Sequence, residues 1–351
     1  MLLSRRTFLQ STLTAGLAAA AEATGSSWLL RPVARIRIGI AGLGATALDH
    51  LALFAAIPGA EIVGLADPST KNLHAAAGYL RDNGQRQPSL YRDSGDLLND
   101  PSLHALAIPS CGQNGAQMMR DAIATGISIL LDAPPVLSQR ELGQMLRILQ
   151  STRTPVHFRL ADYLYPSSVT DVRSWLTRSG STGAELTLAL QPFAARDDLR
   201  IPVIAALDAV LDASGATDEE LQVWGTQGRR SAGIEGTGMS CSITLPPNPF
   251  KFESLLVHSF PGMLESVSTL HLRSIRGSVK LGIASQADLV SSLQTAMLFL
   301  ASVRDTPSAA PKRSYRAQVA AAGADRLLMT LETSASRLHA KHNTIVTPST
   351  L

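Results

Sequence analysis

A short apolar strand that runs through glycines straight into a helix constrains this 351-residue chain more than any other stretch. In Arg35-Ile36-Arg37-Ile38-Gly39-Ile40-Ala41-Gly42-Leu43-Gly44-Ala45-Thr46-Ala47 the β-branched run predicts a buried strand over 35–41. Gly42 permits a tight turn, Gly44 lets an anion approach the backbone, and Ala47 takes the place of a third glycine. Leu48, Leu51, Leu53 and Phe54 then predict a helix over 47–57, stopped by Pro58-Gly59. Its first N–H groups, with the turn residues Ala45 and Thr46, would face a phosphate.

A second strand is predicted over 61–66, and Asp67 follows it, where a dinucleotide fold hydrogen-bonds the adenosine ribose. Asp67-Pro68-Ser69 also suits a helix N-cap or turn. Ser69, Thr70 and Lys71 could instead receive a 2′-phosphate, so NAD and NADP both stay open. Helix 70–82, the Leu90-Tyr91 segment, strand 105–108, helix 113–125, strand 127–131, helix 138–150 and strand 155–158 continue the alternation. That order predicts right-handed parallel crossovers and a doubly wound Rossmann sheet ending near residue 160.

Beyond it the pattern changes. Helix 166–179 and the turn 179–183 precede an alternating strand at 185–191 and an apolar helix at 202–214. Strand-like runs at 220–225, 238–245, 252–260, 266–273 and 277–283 predict a C-terminal α+β domain with a mainly antiparallel sheet, one face solvated. Helices follow at 286–304 and 313–338, and the last ones are expected to pack back on the first domain. The open sheet face offers a surface for a second copy of the chain. The basic pair Arg229-Arg230 reads as a solvated turn.

Apolar content of 45% and charged content of 17% describe a globular chain long enough for two cores. Net charge is +3, and without residues 1–23 it is 29 basic against 27 acidic, which excludes an electrostatic footprint for nucleic acid. Cys111 and Cys241 form neither a disulfide framework nor a metal site with ligand spacing. The N-terminal Ser4-Arg5-Arg6-Thr7-Phe8-Leu9-Gln10, followed by an Ala-rich run to Ala23, resembles a bacterial twin-arginine export signal. It implies engagement of the export machinery and a periplasmic or exported protein, membrane-anchored if the segment stays uncleaved. Residues 24–34 then form a linker before the Rossmann domain of 35–160 and the second domain of 161–351.

The order of these signals resembles the Gfo/Idh/MocA oxidoreductase family, named for glucose-fructose oxidoreductase and inositol dehydrogenase. The matches are the turn at Gly42–Ala47, the acid Asp67, the loop Pro109-Ser110-Cys111, the helix end Thr125-Gly126, the Asp132-Ala133-Pro134 remnant of a Glu-Lys-Pro motif, the turn Gly180-Ser181-Thr182-Gly183, and Ser334-Ala335-Ser336. The resemblance implies that NAD or NADP is held by Gly42, Gly44, Ala45, Thr46, Asp67, Pro109, Ser110, Asn114, Asp132 and Pro134. It also implies a small sugar- or cyclitol-like ligand.

The departures fall where chemistry is expected. The family lysine that contacts nicotinamide and substrate corresponds to Ala133, the general acid/base histidine to Ala205, the loop histidine to Asn114, and the substrate-side arginine to Tyr163. Hydride transfer from a sugar alcohol needs a group that takes the hydroxyl proton and a cation for the developing alkoxide. Asp208, which matches the family's aspartate, and Tyr163 are the candidates left for catalysis. Asp208 equally suits a carboxylate that acts through a neighbour, and Tyr163 suits core packing or a wall against which a ligand stacks. The cluster Asp162-Tyr163-Leu164-Tyr165-Pro166 would lie at the cleft edge of such a fold. Two readings follow: an exported NAD(P)-dependent oxidoreductase with unusual catalytic groups, or a non-catalytic NAD(P)- or ligand-binding sensor, regulator or assembly protein. A hydrolase using NAD as a transient redox cofactor is a remote third.

Overall fold

The computed structural model describes residues 35–44, 46–109, 114–164, 166–179, 184–190, 196–214, 229–235, 238–244, 252–259, 268–274, 277–283, 289–304, 313–325 and 328–329. They divide into two units. The first takes the described residues through Asp162 together with Ala287–Tyr315; the second takes Tyr163–Gln286 and the residues from Arg316 onward.

In the first unit, strands β1 (Ile36–Ala41), β2 (Ala60–Ala66), β3 (Ser89–Tyr91), β4 (Ala105–Ile108), β5 (Ser128–Leu131) and β6 (Val156–Phe158) form one sheet in the order β3-β2-β1-β4-β5-β6. Each of its neighbouring pairs is parallel. Helices α1 (Ala47–Ala56), α2 (Thr70–Asp82), α3 (Ser94–Leu98), α4 (Gly115–Thr125) and α5 (Gln139–Ser151) provide the crossovers. All four residues of β4 and of β5 are buried, and all but Ser128 are apolar, as strands of a sheet covered on both faces should be. Strand order reverses between β1 and β4, which opens a crevice at their carboxyl ends.

Local chemistry explains the boundaries. Gly126 ends α4 in the left-handed region at φ 75°, which a residue with a Cβ adopts only with strain. Ser138 and Glu141 form a capping box at the start of α5, so Ser138 caps that helix from just outside it. The expected helix near 286–304 is α8 (Leu289–Arg304), numbered after two helices of the second unit. Its Leu293, Ala296, Met297, Phe299 and Leu300 join Leu51 and Phe54 of α1 in the first unit's core. The carboxyl-terminal chain thus contributes one helix to the dinucleotide-type unit.

The second unit holds α6 (Pro166–Ser179), α7 (Arg196–Ser214) and a sheet of β7 (Ala184–Leu190), β8 (Arg229–Glu235), β9 (Gly238–Thr244), β10 (Phe252–Ser259), β11 (Ser268–Ser274) and β12 (Gly277–Ile283). Its order is β12-β11-β7-β10-β9-β8. Only the β10–β7 pair is parallel, so the sheet is mainly antiparallel. Arg229 and Arg230 correct the sequence expectation: they open β8 and pair with Thr244 and Ile243 of β9. Alternation of Ser231, Gly233 and Glu235 with Ala232 and Ile234 carries the strand, and the charged pair at its start hid that period. The expected strand at 220–225 lies outside the described residues. A helix runs over 313–325. Among the described residues no helix is long and apolar enough to cross a membrane; the N-terminal segment lies outside them.

Candidate functional site

The β1–α1 turn is built for a close approach to its backbone. Gly42 stands at φ 83°, and its N–H donates to the Ala66 carbonyl at 2.9 Å, carrying the β1–β2 pairing into the turn. Thr46 is the N-cap of α1, yet its side chain does not cap. Its Oγ1 donates instead to the Pro109 carbonyl at 2.8 Å, tying the turn to the end of β4. The helix N-terminus is therefore left with no side-chain cap, and its dipole favours an anion there.

Asp67 is buried and clasps the same turn. Its Oδ2 accepts the Leu43 N–H at 2.7 Å, and its Oδ1 accepts the Ser69 N–H at 2.8 Å and an Asn72 amide N–H at 3.2 Å. Ser69, rather than Asp67, caps α2, accepting the Asn72 N–H at 3.3 Å. A carboxylate offers about four acceptor positions, so with these three filled one is left for a ribose hydroxyl. A left-handed glycine turn, an uncapped helix N-terminus and a carboxylate with one open acceptor, all beside the strand-order reversal, fit a dinucleotide. Gly42, Gly44 and Thr46 would hold its pyrophosphate and Asp67 its ribose. Ala45 and Ser110 lie outside the described residues. Pro109 directly follows β4 and is buried, and Asn114 is exposed as the N-cap of α4.

At the ends of β5 and β6 lies a buried polar network (a grouping with no contiguous trace in sequence). Asp132 follows β5; its Oδ1 meets His50 Nε2 of α1 at 2.6 Å and accepts from Arg159 Nη1 at 3.0 Å. Arg159 follows β6, is 5% exposed, and donates through Nε to Asp162 Oδ2 at 2.8 Å and through Nη2 to Ser292 Oγ at 2.9 Å. Ser292 and Thr295 of α8 in turn donate to Asp162 at 2.8 and 2.7 Å. Burial works against ionisation of Asp132, but His50 and Arg159 hold its carboxyl below the usual range. Burial pushes the Asp162 carboxyl up, against the pull of Arg159, Thr295 and Ser292. Among the described residues His50 Nδ1 is buried without a hydrogen-bond partner, so the ring is held on its polar side through Nε2 and Asp132 alone.

Asp132 and Pro134 are therefore both buried, and Asp132 is bound within the network. Asp162, expected in a cleft-edge cluster, is fully buried there too, while Tyr163 ends the 3₁₀ turn Arg159–Tyr163 half-buried. Asp208, on α7 of the second unit, pairs through both oxygens with Arg316, at 2.8 Å from Nε and 3.4 Å from Nη2. Arg316 also reaches Asp212; burial opposes its charge, but the two aspartates raise its pKa further. Ala133 is 5% exposed and Ala205 0%. Among the described residues no group of His, Cys, Asp and Glu could hold a metal ion.

Sequence reasoning missed His50, Arg159, Ser292 and Thr295. The available signal was positional: a histidine on the apolar face of α1, and charged residues directly after β5 and β6, where open α/β sheets place their sites. His157 of β6 is satisfied: Ser302 Oγ donates to the Phe299 carbonyl at 2.7 Å, so the 3.0 Å contact with His157 is a donation from its Nε2–H. Burial, then the nearby Arg313, lowers its pKa to about 4. The folded chain then binds fewer protons than the unfolded one between pH 6.5 and about 4. This contribution to stability is complete above pH 6.5 and lost as pH falls through that window, with a ceiling of about 3 kcal/mol that residual exposure of the ring reduces. Urea unfolding at pH 7 and 4.5 should show a smaller acid loss in His157→Gln than in the wild type; equal losses would assign the effect elsewhere.

Residues 36–159 match the Gfo/Idh/MocA family model, described as an oxidoreductase family with an NAD-binding Rossmann fold. The inositol 2-dehydrogenase of Ralstonia nicotianae is 29% identical over 100 residues, 28% of this chain and 28% of that protein. A glycosyl hydrolase family 109 protein of Saccharopolyspora erythraea is 25% identical over 171 residues, 43% of this chain and 37% of that protein. The matched segments thus span about a third of these relatives. Among solved structures, myo-inositol dehydrogenase from Lactobacillus casei, in complex with NAD(H) and myo-inositol, superposes with a TM-score of 0.60 at 14% identity, covering 85% of this chain and 95% of that one. The apo scyllo-inositol dehydrogenase of the same organism gives 0.60 at 12% identity, covering 86% and 97%. At such identities the likeness is one of fold.

Proposed function

Because the dinucleotide-binding unit of this chain belongs to the Gfo/Idh/MocA oxidoreductase family, with its NAD-binding Rossmann fold, we propose that the protein is an exported NAD(P)-binding protein that takes a sugar- or cyclitol-like ligand without turning it over. A nicotinamide dinucleotide supplies hydride transfer when a partner group can move the substrate's proton. The observation that carries the reading is the burial of Ala133 and Ala205, at the positions where the resemblance expects a lysine and a histidine. Neither methyl can donate, accept or balance charge. The titratable groups that the first unit does place at the ends of β5 and β6 are bound to one another, and Asp208 is held by Arg316. Loss of general acid/base catalysis alone lowers a rate by about 10²–10⁴-fold. The cyclitol class of ligand is supported by the inositol dehydrogenases of like fold, and export by Arg5-Arg6 before Phe8-Leu9.

Purified exported protein should carry or bind NAD(H) or NADP(H), identified by mass spectrometry of the released nucleotide. Mixed with NAD⁺ or NADP⁺ and a panel of inositols and aldoses, it should give no steady rise in absorbance from reduced nicotinamide. Turnover with any of them would establish the active oxidoreductase instead, with Tyr163 and Asp208 the groups to substitute next. Absence of any bound nucleotide, and of binding in titration, would remove both readings.

A further inference from the structure

The segment that leads from β1 into α1 is tied to three other strands of its sheet. Asp67, after β2, accepts the Leu43 N–H at 2.7 Å, and Thr46 Oγ1 donates to the carbonyl of Pro109, after β4, at 2.8 Å. The third tie reaches furthest. His50, the fourth residue of α1, meets Oδ1 of Asp132, after β5, at 2.6 Å through Nε2. Strand β5 stands two places from β1, about 10 Å away at the usual strand spacing. Asp132 is fixed in turn by Arg159 Nη1 at 3.0 Å. Burial opposes its charge, and His50, Arg159 and the Thr46 hydroxyl hold the carboxyl below the usual range. One carboxylate thus serves both the N-cap of α1 and the residue one turn further in.

Packing alone favours an apolar residue at position 50. His50 is 0% exposed, its Nδ1 has no hydrogen-bond partner among the described residues, and its helix neighbours Leu51, Leu53 and Phe54 belong to the core. An unpartnered buried nitrogen costs stability that an apolar side chain of like size does not. Closed to solvent, the ring presents no surface to a ligand. What its bond fixes is place. The start of α1 has no side-chain cap, and it attracts an anion only where its N–H groups point at one. We propose that His50 and Asp132 are positioning residues for the dinucleotide, holding the start of α1 against the β5 end so that its N–H groups meet the pyrophosphate. The inference rests on the dinucleotide-binding reading above and adds to it the buried pair that sets the anion site. A leucine at position 50 would fill the core but leave the helix start without its bond to β5, and small displacements of a site's supports weaken what it holds.

Calorimetric titration of the full-length chain, well below its melting temperature, tests this with NAD⁺ and with ADP-ribose, which keeps the pyrophosphate and lacks the nicotinamide. His50→Leu should weaken both ligands alike, by about tenfold, the scale on which loss of an outer partner weakens an ion site. His50→Gln, whose side-chain amide can donate to Asp132, should recover most of that loss. If His50→Leu does not fold, Asp132→Asn, which keeps the shape and removes the carboxylate, should weaken both ligands alike. Unchanged affinities in the folded variant, with only its melting temperature lowered, overturn the proposal, because a purely structural pair behaves in that way. A loss confined to NAD⁺ overturns it too, since the pair would then act on the nicotinamide side. Binding of neither ligand by the wild type is a different result, because it overturns the dinucleotide reading itself.

Discussion

Arg159→Met should destabilise the first unit by about 3–5 kcal/mol, the range for removing one partner of a buried ion pair. The guanidinium serves Asp132, Asp162 and Ser292 at once, and its side chain is nearly closed to solvent. Methionine keeps most of the volume but leaves two carboxylates facing each other without a cation. One of them must then take a proton or draw in water. Equilibrium unfolding in urea should show the loss as a lower midpoint. The triple variant Arg159→Met with Asp132→Asn and Asp162→Asn should recover a large part of it, since removing all the charges removes the uncompensated burial. A midpoint unchanged in the single variant would mean that the network contributes no net stability. His50 would report the change separately, because its Nε2–H loses a charged acceptor when Asp132 becomes asparagine.

Gly44→Val should abolish dinucleotide binding, a loss of at least about a hundredfold by titration, while the protein still folds. The uncapped start of α1 binds an anion only if nothing stands between it and the backbone of the turn, and a branched side chain fills that space. Gly42→Val differs in kind. At φ 83° any Cβ is strained, so that variant should lose stability as well as binding. The pair therefore separates approach of the ligand from conformation of the turn. Retained binding in Gly44→Val would place the pyrophosphate elsewhere.

Much of the first unit was legible because its signals are local. Strand over 105–108 and helix over 70–82 coincide with β4 and α2, since apolar period and end signals act within a few residues. Asp67 was legible as the acid that follows the second strand, but its clasp on Leu43 was not, because that bond depends on β2 lying beside β1. The second unit was harder. The strand at 229–235 begins with two arginines and pairs in antiparallel register with β9, so tertiary pairing overrode a weak local pattern. Asp208 came forward through its match to a family aspartate, and only the fold showed the Arg316 partner more than a hundred residues away.

The sequence by itself determined the glycine turn, the alternation of strand and helix, the acid after the second strand, and the alanines at 133 and 205. Each is a matter of residue type at a position, or of spacing that backbone geometry reads over one or two turns. Only the tertiary structure decided how the charges are spent. It brought Asp132 of the β5 end, Arg159 of the β6 end, His50 of α1, and Ser292 and Thr295 of α8 into one buried network. No local period encodes such a meeting. It follows from parallel strands ending at one edge, and from a late helix returning to cover an apolar face that would otherwise meet water.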